Sequence, residues 1–151
     1  IISIMAVGST MAFRSFSRSS GLEGTVSGVA STLSQCRQYA ITHRESVRFC
    51  CSNETTTSSA FLVSSYCVMD LYDNKLANTV TNPYGVVFDP PTSVVFRADG
   101  SLDWSGVGDF PLKISEEVTG VGGGSEIGGG GGANSIISIN RMTGYVRVHG
   151  N

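Results

Sequence analysis

Two periods of hydrophobic spacing divide the chain. From Leu22 the apolar residues fall at Leu22, Val26, Val29, Leu33, Cys36 and Ala40, with spacings of 4, 3, 4, 3 and 4. That spacing is one face of an α-helix. The opposite face carries Glu23, Ser27, Ser34, Arg37 and Gln38. Upstream, residues 1–13 (IISIMAVGSTMAF) are apolar and uncharged and lead directly into the periodic stretch. The pattern predicts an apolar N-terminal helix over 1–21, continued by an amphipathic helix over 22–44. Gly21, Gly24 and Gly28 each lower helix propensity by about 1 kcal/mol relative to Ala. The helix therefore depends on tertiary packing.

Beyond residue 45 the helical period does not return. Residues 46–51 (SVRFCC) alternate and predict a first strand. Val47, Phe49 and Cys51 then share one face, with Arg48 and Cys50 on the other. Residues 52–59 (SNETTTSS) read as a polar loop and 60–68 as a second strand. Residues 70–83 are turn-rich, and 84–89 and 93–97 are strands flanking Asp89-Pro90-Pro91. Asp99-Gly100 is a hairpin signal, with 101–104 as its return strand. Residues 110–116 form another strand. Residues 120–134 are dominated by glycine and read as a flexible surface loop. No Lys-Ser/Thr pair follows, so this is not a phosphate loop. Residues 135–140 and 145–149 close the chain as a hairpin turning at Met142-Thr143-Gly144. Short strands at regular intervals imply an antiparallel sheet or sandwich. The expected fold is α+β, a long N-terminal helix packed on an antiparallel β-sheet or β-sandwich head. The head spans 22–151, with its strands between 46 and 149.

Composition narrows the function classes. The 151 residues suit one domain with an extension. Only 15% are charged and the net charge is −2, which argues against a general nucleic-acid binder. With 40% hydrophobic residues the chain is not disordered as a whole. Residues 1–13 fall short of the roughly 20 apolar residues of a membrane span. They are interrupted by Gly8-Ser9-Thr10 and end at Arg14. No basic segment precedes them as in a signal peptide. They read as the lower half of a longer hydrophobic helix.

Four cysteines, Cys36, Cys50, Cys51 and Cys67, lack metal-type spacing. An even count of this kind favours disulfides and an oxidising compartment; the alternative is four buried thiols. Cys36 lies on the apolar helix stripe. From there the helix descends about 12 Å to its end, and the strand to Cys51 returns about 16 Å. Cys51 shares the strand's apolar face, so Cys36–Cys51 with Cys50–Cys67 ranks first. Cys36–Cys50 with Cys51–Cys67 ranks second. A bridge between the adjacent Cys50 and Cys51 would strain the backbone and ranks last.

Other candidate chemistry is sparse. His43 and His149 have no accompanying carboxylate spacing for a metal or catalytic pair, and His43 suits a helix C-terminus in any case. Asp99, Asp103 and Asp109 cluster around a turn, as solvated turn aspartates do and as Ca²⁺ loops do. Asn53-Glu54-Thr55 matches a glycosylation acceptor, a cheap match in a polar loop. Trp104, the single tryptophan, reads as a core or edge aromatic. No nucleophile–His–acid constellation is present, so no enzyme activity, cofactor, metal or small-molecule substrate is expected.

In four stretches the chain resembles the type IV pilin superfamily, and within it the GspH/FimT-type pseudopilins and minor pilins. They are the apolar helix running into Phe13-Arg14-Ser15-Phe16, residues 33–48 (LSQCRQYAITHRESVR), residues 94–100 (VVFRADG) and residues 136–148 (IISINRMTGYVRV). The family's N-terminal Phe and the Glu soon after it are not matched; residue 5 here is Met5. The resemblance places Ile1 some way inside such a mature chain. It implies a filament subunit of a type IV pilus or a type II secretion pseudopilus. Ile1, Ile2, Ile4, Met5, Val7, Met11, Phe13 and Phe16 would form the assembly helix, and the stripe from Leu22 to Ala40 would seat it in the head. Partners would be copies of the chain or related pilins, with the inner membrane holding the helix before assembly. The location would be an extracellular filament or a periplasmic pseudopilus. Family members that bind DNA carry a basic C-terminal motif that Gly144-Tyr145-Val146-Arg147 matches in part, with Tyr145 in place of its first Arg. Arg141 and Arg147 are the candidate contacts in that alternative, a fibre-tip pilin capturing DNA.

Overall fold

The computed structural model describes residues 2–55, 62–83, 85–119, 125–127 and 133–150, with side chains over 21–55, 62–83, 85–116 and 133–150. The class is α+β: one N-terminal helix and two antiparallel sheets. Helix α1 is Ile2–His43. The strands follow in the order β1 (Val47–Thr55), β2 (Leu62–Asp70), β3 (Val80–Thr81), β4 (Val86–Phe88), β5 (Ser93–Phe96), β6 (Phe110–Thr119), β7 (Ser125–Ile127), β8 (Asn134–Ile139) and β9 (Val146–His149). The first sheet runs β3-β2-β1-β5. The second runs β4-β6-β8-β9, and β7 pairs with β6.

Burial follows the period of each element. Leu22, Val26, Val29, Leu33, Cys36 and Ala40 of α1 are all buried, while Glu23, Ser27, Ser34 and Gln38 are exposed. Along β1, Val47, Phe49 and Cys51 are buried and Arg48 and Cys50 half-exposed. The helix stripe packs on both sheets. It shares one core cluster with Phe49, Val94 and Phe96 of the first sheet and with Phe110, Leu112, Ile114, Ile137 and Ile139 of the second. Gly28 lets the sheet come close: a Cβ there would lie 3.2 Å from the Tyr66 hydroxyl. The Tyr66 ring fills the space beneath, 5.5 Å from Phe49 and edge-on to Phe88 at 6.4 Å.

Side chains join the two sheets where backbone pairing stops. One edge of β4 pairs with β6. On its other edge Asn53 of β1 acts as a substitute strand. Its amide Nδ2 donates to the Phe88 carbonyl at 2.7 Å, and its Oδ1 accepts the Phe88 N–H at 3.1 Å. Ser64 of β2, fully buried, donates its hydroxyl to the Val86 carbonyl. Asn82 donates its amide to the same hydroxyl at 2.8 Å and its backbone N–H to the Ser64 carbonyl at 2.9 Å. Buried backbone groups of β4 are thereby satisfied without a neighbouring strand.

Several expectations are corrected. Residues 52–55 are strand, not loop: Ser52 to Thr55 stay in register with Ser65 to Leu62. Polar composition there reflects a solvent-facing strand end, with Ser52 and Ser65 hydroxyls 3.2 Å apart. Residues 101–104 return alongside β5 for one bridge only, Phe96 to Leu102, with the Arg97 N–H donating to the Ser101 carbonyl and the Asp103 N–H to the Val95 carbonyl, both at 2.8 Å. On the other edge of this segment the Leu102 N–H donates to the Arg141 carbonyl at 2.9 Å, tying it to the last hairpin. The glycine-rich stretch is not loop throughout, because β7 pairs with the end of β6; its residues 120–124 and 128–132 lie outside those described. The turn-rich 70–83 contains β3.

The junction carries a prediction. Asn53→Ala removes both bonds to Phe88 and strands two partly buried backbone groups, at a cost of about 1–3 kcal/mol for each unsatisfied group. Urea denaturation of the variant is expected to show a clearly lowered midpoint with an unchanged slope. An unaltered midpoint would mean that Asn53 does not hold the sheets together.

Candidate functional site

The assembly helix expected from the sequence falls largely outside the described side chains: Ile1 entirely, and the side chains of Ile2, Ile4, Met5, Val7, Met11, Phe13 and Phe16. The backbone of all but Ile1 belongs to α1. Among the described residues no helix is long and apolar enough to cross a membrane. The six stripe residues lie in the core, as described above.

The C-terminal end of α1 meets two turns. Arg37 Nε donates to the Thr143 carbonyl at 2.6 Å. Gly144, with φ of 65°, sits directly on the Gly100 carbonyl, which a Cβ would strike. Asn140 shapes the hairpin by accepting the N–H groups of Met142 and Thr143 on its Oδ1 at 3.1 and 3.0 Å. Arg141 reaches the Gly106 carbonyl at 3.4 Å. Ile41, Val107, Met142 and Tyr145 are exposed on these neighbouring segments. The sequence marked Arg37 only as part of a polar helix face. Its tie to a turn 106 residues away leaves no local signal.

Arg141 and Arg147 take separate partners. The Arg147 guanidinium lies 5.7 Å from the centre of the Tyr145 ring, a cation–π arrangement. The three turn aspartates are likewise engaged one by one. Asp99 accepts the Ser101 hydroxyl and N–H, which hold its carboxyl below the usual range. Asp103 pairs with Arg97 at 2.6 Å, and Asp109 accepts the Asn140 amide at 3.0 Å. Among the described residues no three His, Cys, Asp or Glu side chains converge as metal ligands. His43 stacks on Tyr39 at 4.0 Å, while His149 ends β9. Trp104 packs edge-on against Phe110 at 4.8 Å. Asn53, the candidate sugar acceptor, has its amide committed to Phe88.

The four cysteines are free thiols in this structure, and Cys36 and Cys51, the first-ranked partners, both lie in the core cluster. Cys51 is engaged elsewhere: its thiol donates to the Thr92 carbonyl at 3.0 Å and accepts the Thr92 N–H at 3.2 Å. Cys36 is buried in the helix stripe and borders a cavity of about 330 Å³ between α1 and β2, lined also by Tyr39, Tyr66, Val68, Leu76 and Val80. Cys50 and Cys67 are register partners across β1 and β2.

No family model, curated protein or solved structure matches the chain.

Burial raises the Cys36 thiol from 9.0 to about 12 and the Cys51 thiol from 9.0 to about 11. Above pH 9 the unfolded chain releases these protons while the folded chain keeps them. The folded state then binds more protons, so stability falls as pH rises. It is complete below about pH 9 and is lost progressively toward pH 11–12. With the protein kept reduced, melting temperatures from pH 8 upward are expected to decline, and less steeply in Cys36→Ala than in the wild type. Parallel slopes would show that Cys36 does not titrate as a buried thiol.

Proposed function

We propose that this chain is a structural subunit of a type IV pilus-like fibre or a type II secretion pseudopilus, working by assembly and not by catalysis. The observation that carries this proposal is the sequence of residues 1–13, apolar and uncharged, on the same helix that seats in the head from Leu22 onward. The head uses one stripe of α1 for its own core. The upstream stretch would serve a second, intermolecular core. In this reading the helix is long and the two sheets form a sandwich-like head around its C-terminal half. Before assembly the apolar end resides in the inner membrane. In the fibre it packs among the helices of other copies or of related pilins, outside the cell or in the periplasm. Burying about 13 mostly apolar residues contributes on the order of 10 kcal/mol before ordering costs, enough to dominate subunit association. The exposed Ile41, Val107, Met142 and Tyr145 at the end of α1 would then meet the head of an adjacent subunit.

Removal of residues 1–14 tests the proposal. The truncated chain is expected to be soluble, folded and monomeric, and to form no fibres. Electron microscopy of cells making only this form decides. Normal fibres would overturn the role of the stub.

A second reading, DNA capture at a fibre tip, has one observation in its favour: the exposed Tyr145 ring with Arg147 stacked on it. Aromatic and arginine side chains together form stacking platforms for single strands. A gel shift with single-stranded DNA at two salt concentrations tests it. Binding that weakens with salt and is lost in Arg147→Ala would support capture; no shift at low salt would dismiss it.

A further inference from the structure

Cys50 on β1 and Cys67 on β2 stand directly opposite each other in the strand register. On the other side of β1, the Cys51 N–H donates to the Thr92 carbonyl at 2.9 Å. Backbone groups alternate in direction along a strand, so those of Cys50 point at β2. The pair is therefore a hydrogen-bonded antiparallel pair, whose Cα atoms stand about 5.5 Å apart. That separation lies within the range of roughly 4.4–6.8 Å that a disulfide spans. Both side chains project to the same face and are half-exposed, and burial and then the neighbouring Cys67 raise the Cys50 thiol above its ordinary range. An oxidant reaches them from solvent. The other two thiols are buried. Cys51 points to the opposite face of β1, buried against Thr92. Cys36 is buried within the helix stripe.

We propose that Cys50 and Cys67 are the chain's oxidation site: they close to one cross-strand disulfide while Cys36 and Cys51 remain thiols. The co-reactant is a disulfide, either of an oxidoreductase or of oxidised glutathione. One of the two cysteines attacks a sulfur of that disulfide as its thiolate and expels a thiolate, forming a mixed disulfide. The second cysteine, also as thiolate, attacks the protein sulfur of the mixed disulfide and expels the other external thiolate. The protein loses two electrons and two protons. The external disulfide gains them and leaves as two thiols. The new bond closes the loop from Cys50 to Cys67 and constrains the unfolded chain, favouring the folded state on the order of 100-fold. None of this rests on the filament proposal, since thiol counting does not depend on assembly.

The full chain, equilibrated in an oxidised and reduced glutathione mixture poised as in secretory compartments, is unfolded in iodoacetamide and weighed by mass spectrometry. Two alkyl groups are expected, and four after prior reduction. Cys50→Ser and Cys67→Ser should each take up three without reduction, while Cys51→Ser and Cys36→Ala should each take up one. Four alkyl groups on the unreduced wild type would overturn the proposal, as would none, which means two bridges. Any bridge surviving in Cys50→Ser would do the same. Unfolding midpoints give an independent check. Reductant should lower that of the wild type and leave those of Cys50→Ser and Cys67→Ser unchanged; equal sensitivity in all three would place the bridge elsewhere.

Discussion

Helix α1 presents a single apolar stripe to the head, and both sheets have to meet it. Leu22, Val26, Val29, Leu33, Cys36 and Ala40 share one core with residues from the two sheets. Burying them contributes on the order of 10 kcal/mol. Gly21, Gly24 and Gly28 cost the helix about 3 kcal/mol in propensity. Packing therefore wins over intrinsic preference, and the helix is stable because the head is present. The glycines are not only a cost. The Tyr66 hydroxyl lies close against Gly28, so part of the lost propensity is exchanged for closer seating.

Seating one stripe on two sheets creates a difficulty at their junction. Strand β4 pairs with β6 on one side only, and its other edge would bury backbone groups with no partner. Asn53 and Ser64 take up these groups through their side chains. The amide of Asn53 presents a donor and an acceptor in the order that a strand would. The segments are fixed to each other without the register of a continuous sheet, so the two sheets can diverge from a common line. The same device appears at the other end of the head. There Arg37 holds the last hairpin turn, and Gly144 allows that turn to lie against Gly100.

Periodicity exposes some of these features in the sequence and hides others. The helix stripe and the alternation of Val47, Phe49 and Cys51 are legible because each repeats a local spacing that burial enforces. The closing hairpin is legible from its turn residues. Residues 52–55 were obscured because a strand end facing water on its outer side has the composition of a loop. Strand β7 was hidden by the glycines around it. The contacts from Asn53 to Phe88 and from Arg37 to Thr143 join distant parts of the chain, and no spacing encodes them. Alternation placed Cys50 and Cys51 on opposite faces, which the register keeps. Cys36 and Cys51 both fall in the core cluster, as the helix stripe and the strand alternation imply.

The distribution of polar groups also bears on what the head can do. Five of the candidate side chains have partners of their own: Asp99 with Ser101, Asp103 with Arg97, Asp109 with Asn140, His43 with Tyr39 and Arg147 with Tyr145. Each contact is local to its own turn, helix end or strand end. Such groups stabilise surfaces. Catalysis needs several polar groups converging on one reacting atom in a site that excludes water. The buried polar groups of the junction do converge, but on the backbone of β4, where their hydrogen bonds are already used. Where α1 ends, the head presents the apolar side chains Ile41, Val107, Met142 and Tyr145. Under the proposal of a filament subunit, these side chains are the ones that an adjacent head would cover.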